Sequence, residues 1–407
     1  MQIIVHRGQK QIGGSVIEIS TAKTRIILDT GMELQEDTPH ALDIPGLFNG
    51  ESNCDAILIS HYHLDHLGLL SLALPEIPVC MGKPTYEIYK FSQENNPHNP
   101  KPREVSQFFI PFHPSDIGDI RITPIPCDHS AFDSYMLLLE AEGKKILYTG
   151  DFRATGRQNF NAFLKRLPSP IDILITEGTT LNRDDITYPT EEELEKQAEE
   201  AIRQHTGPVF VVMPATNIAR LVTMFKAAIH CKRIFAYDIY AAQIALRTGN
   251  SSIPNINTFD RNLKVFTPFE LNNNSASYQF LNNSHHKIGI NSLGRIPAVI
   301  SIRSSMHSWL KKFSEKHPLS NSLLIYSMWD GYITLDDNMK CLLSIANEAG
   351  MDILTLHTSG HADAQTIQKL IDKVQPNQII PVHTENAQWF SEHYGEGRVI
   401  NTPMCNI

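Results

Sequence analysis

Residues 61–66 read His-Tyr-His-Leu-Asp-His and directly follow the apolar run 56–60. Three imidazoles and a carboxylate in six residues carry a large desolvation cost when buried, unless a ligand satisfies them. Zinc prefers nitrogen and carboxylate oxygen ligands, and a loop at a strand end can turn such side chains toward one point. The alternative is a polar loop in a chain that has 18 histidines. We expect a divalent metal site here.

Three more polar residues lie at or just after the ends of predicted strands. They are Asp29 in ILDTG, His129 in DHSAFDS and Asp151 in YTGDFR. Each taken alone is structural as often as functional. Together with the 61–66 cluster, they indicate a shared site.

The HxHxDH string resembles the metallo-β-lactamase superfamily, and the other motifs follow in the family's order. Asp29 resembles the aspartate of the first motif, which holds the metal ligands in place without binding the metal itself. The resemblance implies two metal ions. One is bound by three histidines and the other by Asp65 and His66, with Asp151 between the two ions. The three histidines are His61, His63 and His129.

The second ion lacks one ligand in this half of the chain. The resemblance implies that this ligand lies near the C-terminal end of the sequence. His383, in IIPVHTE, resembles motif C of β-CASP proteins, while Glu177 in LITEGTT and His361 in HTSGHA resemble motifs A and B. DHSAFDS, SGHA and IIPVHTE are most similar to the ribonuclease J branch. The family thus implied is β-CASP and ribonuclease J-like.

The order of predicted elements agrees with a domain inserted between Asp151 and His383. Seven short strands come before residue 178, and β-α-β patterns follow from residue 190. We therefore predict an α/β protein, a metallo-β-lactamase αββα sandwich with an inserted α/β β-CASP domain. The expected domain ranges are 1–187, 188–345 and 346–407. The Asn- and Ser-rich stretch 249–284 predicts surface loops.

Charge and cysteine content limit the class of protein. The net charge of −9 argues against broad electrostatic adhesion to nucleic acid, so phosphate binding should be local. Six scattered cysteines without a CxxC pair suggest reduced core residues. The apolar runs are too short for a membrane span and the first residues lack a signal-peptide core, so a cytoplasmic location is expected.

The resemblance implies hydrolysis of phosphodiester bonds in single-stranded RNA by a two-metal-activated water. Zinc is the expected metal and manganese the alternative. Asp65 and Asp151 would take part as metal ligands. His361 would be the general acid, with Glu177 orienting it or raising its pKa. The alternative for His361 is a histidine that stabilises its loop.

Further residues are candidates for contacts to RNA in a cleft between the domains. Ser359 and Gly360 could offer backbone N–H groups at a strand-to-helix turn. Thr216 and Asn217 could hold a phosphate at the start of a helix, or could equally be its N-cap. Arg303 could clamp a phosphate, or could be a solvated surface arginine.

Three other functions compete with the ribonuclease reading. A DNA-processing β-CASP nuclease would use the same metal site, because the metals do not contact the 2′-OH. A small-molecule metallo-hydrolase is disfavoured by motifs A and B and by the insert. A non-catalytic partner subunit is disfavoured because every ligand position is filled. Oligomeric state is left open.

Overall fold

The computed structural model describes residues 1–34, 36, 38–95, 100–183, 187–257, 261–269, 276–282 and 285–407. They form two compact units. The first consists of Met1–Ala154, Gln158–Tyr188 and Gly360–Ile407, and the second of Thr155–Arg157 and Pro189–Ser359. The first unit is interrupted by the second, as the predicted insertion requires.

Strands in the described part of the chain are numbered in chain order. They are β1 (Gln2–Arg7), β2 (Val16–Ser20), β3 (Arg25–Leu28), β4 (Ala56–Leu58), β5 (Val79–Met81), β6 (Gln107–Phe108), β7 (Ser115–Ile117), β8 (Ile120–Cys127), β9 (Ser134–Ala141), β10 (Lys144–Tyr148), β11 (Ile171–Thr176), β12 (Val209–Val212), β13 (Ile234–Asp238), β14 (Leu263–Phe266), β15 (Ala298–Ile302), β16 (Leu323–Tyr326), β17 (Asp352–Thr355), β18 (Pro376–Pro381) and β19 (Met404–Asn406).

Helices are numbered in the same way. They are α1 (Leu64–Leu67), α2 (Lys83–Glu94), α3 (Phe160–Leu164), α4 (Glu191–Gln204), α5 (Ile218–His230), α6 (Ile239–Arg247), α7 (Ala276–Asn282), α8 (Ile290–Leu293), α9 (His307–Lys316), α10 (Gly331–Leu335), α11 (Asp337–Glu348), α12 (Ala364–Val374) and α13 (Gln388–Tyr394). No helix among the described residues is both long and apolar enough to cross a bilayer.

Two sheets build the first unit. One has the order β19-β1-β2-β3-β4-β5-β6 and the other β18-β11-β10-β9-β8-β7. Alternate residues of both, such as Ile26 and Leu28 of β3 and Leu137 and Leu139 of β9, form one buried cluster. The other residues of β9, Met136 and Leu138, pack in a second cluster with α12 and α13. The predicted metallo-β-lactamase sandwich is therefore confirmed.

Strand direction explains why residues distant in sequence meet at one edge of the first unit. β3 and β4 are parallel neighbours, as are β10, β11 and β18. β8 pairs with β9 and β9 with β10, both antiparallel, so β8 runs parallel to β10. Parallel strands end on the same side, and each of these strands is followed by a loop that carries one of the predicted motifs.

The second unit has one sheet, ordered β14-β13-β15-β12-β16-β17, and all its strand pairs are parallel. This is the predicted α/β insert. Its last boundary lies at 359/360, later than the predicted 345/346, because β17 extends this sheet by pairing with β16.

The loop prediction for 249–284 is wrong in two places. β14 and α7 lie within this stretch, since the apolar positions of Leu263–Phe266 are sufficient for a buried strand despite the polar residues around it. The Asn272–Ser275 and Asn283–Ser284 stretches, also predicted as loops, lie outside the described residues.

Candidate metal centre

The seven predicted ligands form two groups in the first unit. His61, His63 and His129 form one group, and Asp65, His66, Asp151 and His383 form the other; the ligand atoms of each group lie within 4.8 Å of one another. These are the two groups that the motifs imply. Asp65 and His66 lie in the short helix α1, and the other ligands lie in the loops that follow β4, β8, β10 and β18.

Asp151 lies at the middle of the cluster. Its Oδ2 is 3.2 Å from His66 Nε2, 3.8 Å from His61 Nε2 and 3.9 Å from both His129 Nε2 and His383 Nε2. Burial by itself would raise the pKa of Asp151, but the surrounding histidines hold it well below its usual value. The side chain is therefore a carboxylate in the position expected of a bridging ligand.

Buried polar atoms test whether these residues fit a metal. His61 Nε2, His66 Nε2 and both carboxylate oxygens of Asp151 are buried and make no hydrogen bond. Leaving such atoms unsatisfied costs about 1–3 kcal/mol each, and more when the group is charged. Nitrogen and carboxylate oxygen are the donors that zinc accepts. The site therefore fits two divalent ions, which would be held by the two groups.

The protonation of the three histidines in the first ligand group also suits metal binding. Burial lowers the pKa of His63 to about 4, and it lowers the pKa values of His61 and His129 well below the usual value. Their imidazoles are consequently neutral at pH 7. Neutral imidazole is the form that binds a metal ion.

Residues that hydrogen-bond to the ligand histidines determine which ring nitrogen faces the metal site. Asp29 accepts from His66 Nδ1 (2.7 Å), from Ser60 Oγ (2.7 Å) and from Tyr148 Oη (2.6 Å). Because the Ser60 hydroxyl donates to Asp29, it can accept from His61 Nδ1 at 3.0 Å. On this assignment Nε2 of both histidines is left for the ion. Asp29 thus lies where the first motif implies. Ser60 and Tyr148 both hydrogen-bond to it, and Ser60 connects it to His61.

The loop that carries His129 is held on both sides. The His129 ring hydrogen-bonds through Nδ1 to the Gly360 carbonyl, and its Nε2 lies 3.1 Å from His63 Nδ1. Further along the same loop, Asp133 Oδ2 accepts a hydrogen bond from Thr85 N (3.1 Å), in the first turn of α2. Asp133 thus caps this helix, because Gly82 at the N-cap position has no side chain that could do so. A Cβ on Gly82 would lie 1.9 Å from this oxygen, so the approach requires glycine.

Beside Asp151 lies the predicted acid. His361 Nδ1 is 3.0 Å from Glu177 Oε2 and 3.5 Å from Asp151 Oδ2. Burial lowers the pKa of His361, but the carboxylates of Glu177 and Asp151 outweigh this and raise it to about 9. Glu177 is itself held, since its Oε1 accepts from Phe152 N at 2.8 Å. His361 is therefore held by Glu177, and its pKa is raised above the usual value of a histidine.

Thr179 is a residue that the motifs did not single out. Its hydroxyl donates to Glu177 Oε2 (2.7 Å) and lies 2.8 Å from His383 Nδ1, from which it can accept. One hydroxyl thus connects a ligand of the second ion to the carboxylate that orients His361. The only signal in the sequence was its place two residues after Glu177.

We expect Thr179→Val, which keeps the shape and removes the hydroxyl, to weaken metal retention ~10- to 100-fold, as is usual for partners behind a ligand. Turnover should fall as well, because Glu177 loses a donor. Chelator titration and turnover at saturating metal measure the two effects separately. Thr179→Ser keeps the hydroxyl and should restore both; a Thr179→Val protein that behaved like wild type would remove Thr179 from the site.

Thr216 and Asn217, predicted as phosphate contacts, belong to the second unit. Asn217 is the N-cap of α5, and its side-chain oxygen accepts from Arg220 N at 3.0 Å. The capping alternative therefore describes Asn217. Thr216 lies in the turn that precedes it.

Arg303, also in the second unit, is neither a solvated arginine nor an unpaired clamp. Its Nη2 donates to Asp238, and its guanidinium lies 4.9 Å from the centroid of the Tyr240 ring. An arginine already paired with a carboxylate is a weaker phosphate ligand than the prediction assumed.

Ser359 and Gly360 lie on either side of the boundary between the units. Ser359 O accepts from Thr155 Oγ1 at 3.4 Å, while the Gly360 carbonyl bonds to His129. The helix that follows begins only at Ala364, capped by Asp363. The predicted strand-to-helix turn is therefore longer than expected, and Gly360 has a second use in orienting a metal ligand.

Comparison with known families points the same way as the geometry. A family model described as "Beta-lactamase superfamily domain" matches residues 24–213. A second, described as "Zn-dependent metallo-hydrolase RNA specificity domain", matches residues 350–402. The two matches cover the sequence around every predicted metal ligand.

Several curated proteins are similar over most of the chain. A probable RNase of Methanocaldococcus jannaschii, named MJ4, is 24% identical, with 97% of this chain and 96% of the relative covered. Ribonuclease J 2 of Streptococcus pyogenes is 23% identical over 95% of this chain and 70% of its own. Ribonuclease J of Helicobacter pylori is also 23% identical, over 93% of this chain and 55% of its own.

A solved structure shares the fold. It is described as that of a protein of unknown function from Enterococcus faecalis V583, with a TM-score of 0.80, 19% identity, and coverage of 100% of this chain and 99% of the other. From the ligand motifs, the sandwich with its inserted unit and these similarities, it follows that the chain contains a β-lactamase superfamily domain and an RNA specificity domain of Zn-dependent metallo-hydrolases, and that it is similar to ribonuclease J proteins over most of its length.

Proposed function

We propose that this protein is a metal-dependent ribonuclease that hydrolyses phosphodiester bonds of single-stranded RNA, with His361 as the general acid. The observation that carries the proposal is the convergence of histidines on Asp151 Oδ2, in a chain whose residues 350–402 match an RNA specificity domain. The relatives named as ribonucleases support RNA as the substrate.

Two divalent ions bound in the two ligand groups would lower the pKa of a water molecule and neutralise charge on the scissile phosphate. Zinc suits the donor set best, and manganese is the alternative. Asp65 and Asp151 contribute carboxylates to this centre. His383 Nε2 lies 3.0 Å from Asp65 Oδ2, so the two side chains converge on the second ion's position.

His361 supplies the proton that the leaving oxygen needs. Because Glu177 accepts from Nδ1, the ring nitrogen Nε2 is the one that can donate to a substrate. The carboxylate of Glu177 also favours the protonated ring. Glu177 thus has two effects on His361: it orients the ring and maintains the charge that a general acid requires.

The burial of the ligands indicates which form of RNA can react. His61, His66 and Asp151 are at most 1% exposed, so a phosphate must enter a recess to reach them. A single strand can do this, whereas a rigid duplex holds its phosphates on the outside of a wide helix. We expect single-stranded RNA to be cut at least ~10-fold faster than a perfect duplex of the same sequence, a difference of about 1.4 kcal/mol in the barrier.

This prediction is measured with 5′-labelled and 3′-labelled RNA, matched duplex and matched DNA, each with and without chelator. The acidic chain should also give only a moderate loss of binding with salt, because few counterions are released. Cleavage of duplex as fast as of single strands would contradict the recess argument. Cleavage of DNA alone would favour the DNA-processing alternative.

A further inference from the structure

A surface cavity of about 440 Å³ lies within the first unit, away from the ligand motifs. It is located where α12 ends, where β18 begins and where the chain turns after α13. Its polar lining comprises Asp372, Gln375, Asn377, Tyr394 and Arg398. All five fall inside residues 350–402, the part that matches an RNA specificity domain.

The side chains of this cavity are held close to one another. Arg398 Nη2 donates to the Pro376 carbonyl at 2.7 Å, and its guanidinium lies 5.9 Å from the Tyr394 ring centroid. Burial and the Asp372 carboxylate raise the pKa of Tyr394 to about 12, while Arg398 acts in the opposite direction. The phenol therefore stays protonated at neutral pH and experiences both charges.

A planar ring, a guanidinium, a carboxylate and two amides are the groups by which proteins bind unpaired bases. Aromatic rings and arginine stack on bases, and polar side chains read their edges. The carboxylate narrows the choice of base, because it only accepts hydrogen bonds. Guanine presents two adjacent donors, N1–H and the N2 amino group, whereas adenine and cytosine place an acceptor beside their amino group.

We propose that this cavity binds a guanine nucleotide of single-stranded RNA, with the base against Tyr394, its N1–H and N2 amino group on Asp372 and its phosphate toward Arg398. The inference rests on the proposed ribonuclease function for the nature of the polymer. It adds a site of defined base preference that is separate from the metal centre.

The length of β18 separates this cavity from the metal centre. Pro376 at the start of the strand lines the cavity, and His383 lies two residues after its end. At ~3.3 Å per residue, the two sites lie about 20 Å apart. Contacts at the cavity therefore contribute to binding and to base preference, and do not act on the reacting phosphate.

The test compares guanosine 5′-monophosphate with adenosine 5′-monophosphate by isothermal titration calorimetry. Both nucleotides carry the same phosphate, so any binding at the metal centre affects them equally. Wild type should bind the guanine nucleotide ~10-fold more tightly, a preference that one bidentate base contact is sufficient to give. Asp372→Asn replaces an exposed carboxylate by an amide of the same shape and should abolish this preference. Asp116→Asn, an exposed aspartate of the same unit, should retain it.

Equal binding of the two nucleotides, or an unchanged preference in Asp372→Asn, would mean that the cavity is only a solvent-filled gap after the end of α12 at Val374. RNA cleavage by the same preparations keeps the two proposals apart. If RNA is cut but Asp372 has no effect on guanine binding, the cavity proposal fails and the ribonuclease stands. If guanine binding depends on Asp372 but no RNA is cut, the ribonuclease proposal fails and the nucleotide site stands.

Discussion

Replacing Asp151 with alanine is expected to abolish both metal retention and activity. Oδ2 of Asp151 lies 3.2–3.9 Å from a ring nitrogen of each of five histidines, and its removal takes away the carboxylate between these side chains and leaves Asp65 as the remaining carboxylate of the two ligand groups. Activity should fall at least ~10³-fold, which corresponds to about 4 kcal/mol of lost transition-state stabilisation.

Elemental analysis of protein purified without chelator measures this result directly. Wild type should contain about two equivalents of zinc or manganese, one for each ligand group. Asp116→Ala, an exposed aspartate outside the site, serves as the matched control and should keep both. An active wild-type enzyme that stably holds only one ion would contradict the two-ion centre.

The second large effect is expected for His361→Ala. Metal content and fold should be retained, because the two ligand groups are complete without this ring. Turnover should fall ~10²- to 10⁴-fold, the usual contribution of a positioned general acid. Glu177→Gln should lower turnover in the same direction, since the amide keeps the shape and loses the charge that favours protonated His361.

His113→Ala is a suitable control because His113 is an exposed histidine of the same unit. It should leave turnover and metal content unchanged. His361 Nδ1 lies close enough to Asp151 for another outcome to be informative, as the two also form a group with Glu177 and His383. Loss of metal in His361→Ala would show that the ring binds an ion rather than donating a proton.

Local patterns were sufficient to predict a metal site at residues 61–66 and the order of strands and helices, whereas the division of the ligands into two groups and the inclusion of His383 came from the family resemblance. His61, His63, Asp65 and His66 lie within six residues, so their meeting needs only a turn at the end of β4. The start of the insert was also predictable from a local pattern, because the Thr190–Glu193 capping box and the apolar face of α4 indicate a helix there. Its end was less predictable, since whether β17 joins one sheet or the other depends on pairing with a strand far away.

Buried ion pairs in the insert show what such patterns leave out. Arg220 is fully buried and donates to both carboxylate oxygens of Glu191 at 3.2 Å. In the sequence, each looks like an ordinary charged residue of a helix. The pairing of Arg303 with Asp238 could not be predicted from the sequence either, because it depends on β13 and β15 being neighbours in the sheet.

The sequence alone therefore determined which residue types gather at the metal centre, because ligand spacing and strand ends are local properties. Only the tertiary structure decided which nitrogen each histidine presents and which groups hold it there. Tyr148 reaches Asp29 across 119 residues, Gly360 reaches His129 across 231, and Thr179 reaches His383 across 204. Hydrogen bonds of this kind arise when parallel strands of two sheets end at the same edge, and no local pattern in the chain records such a meeting.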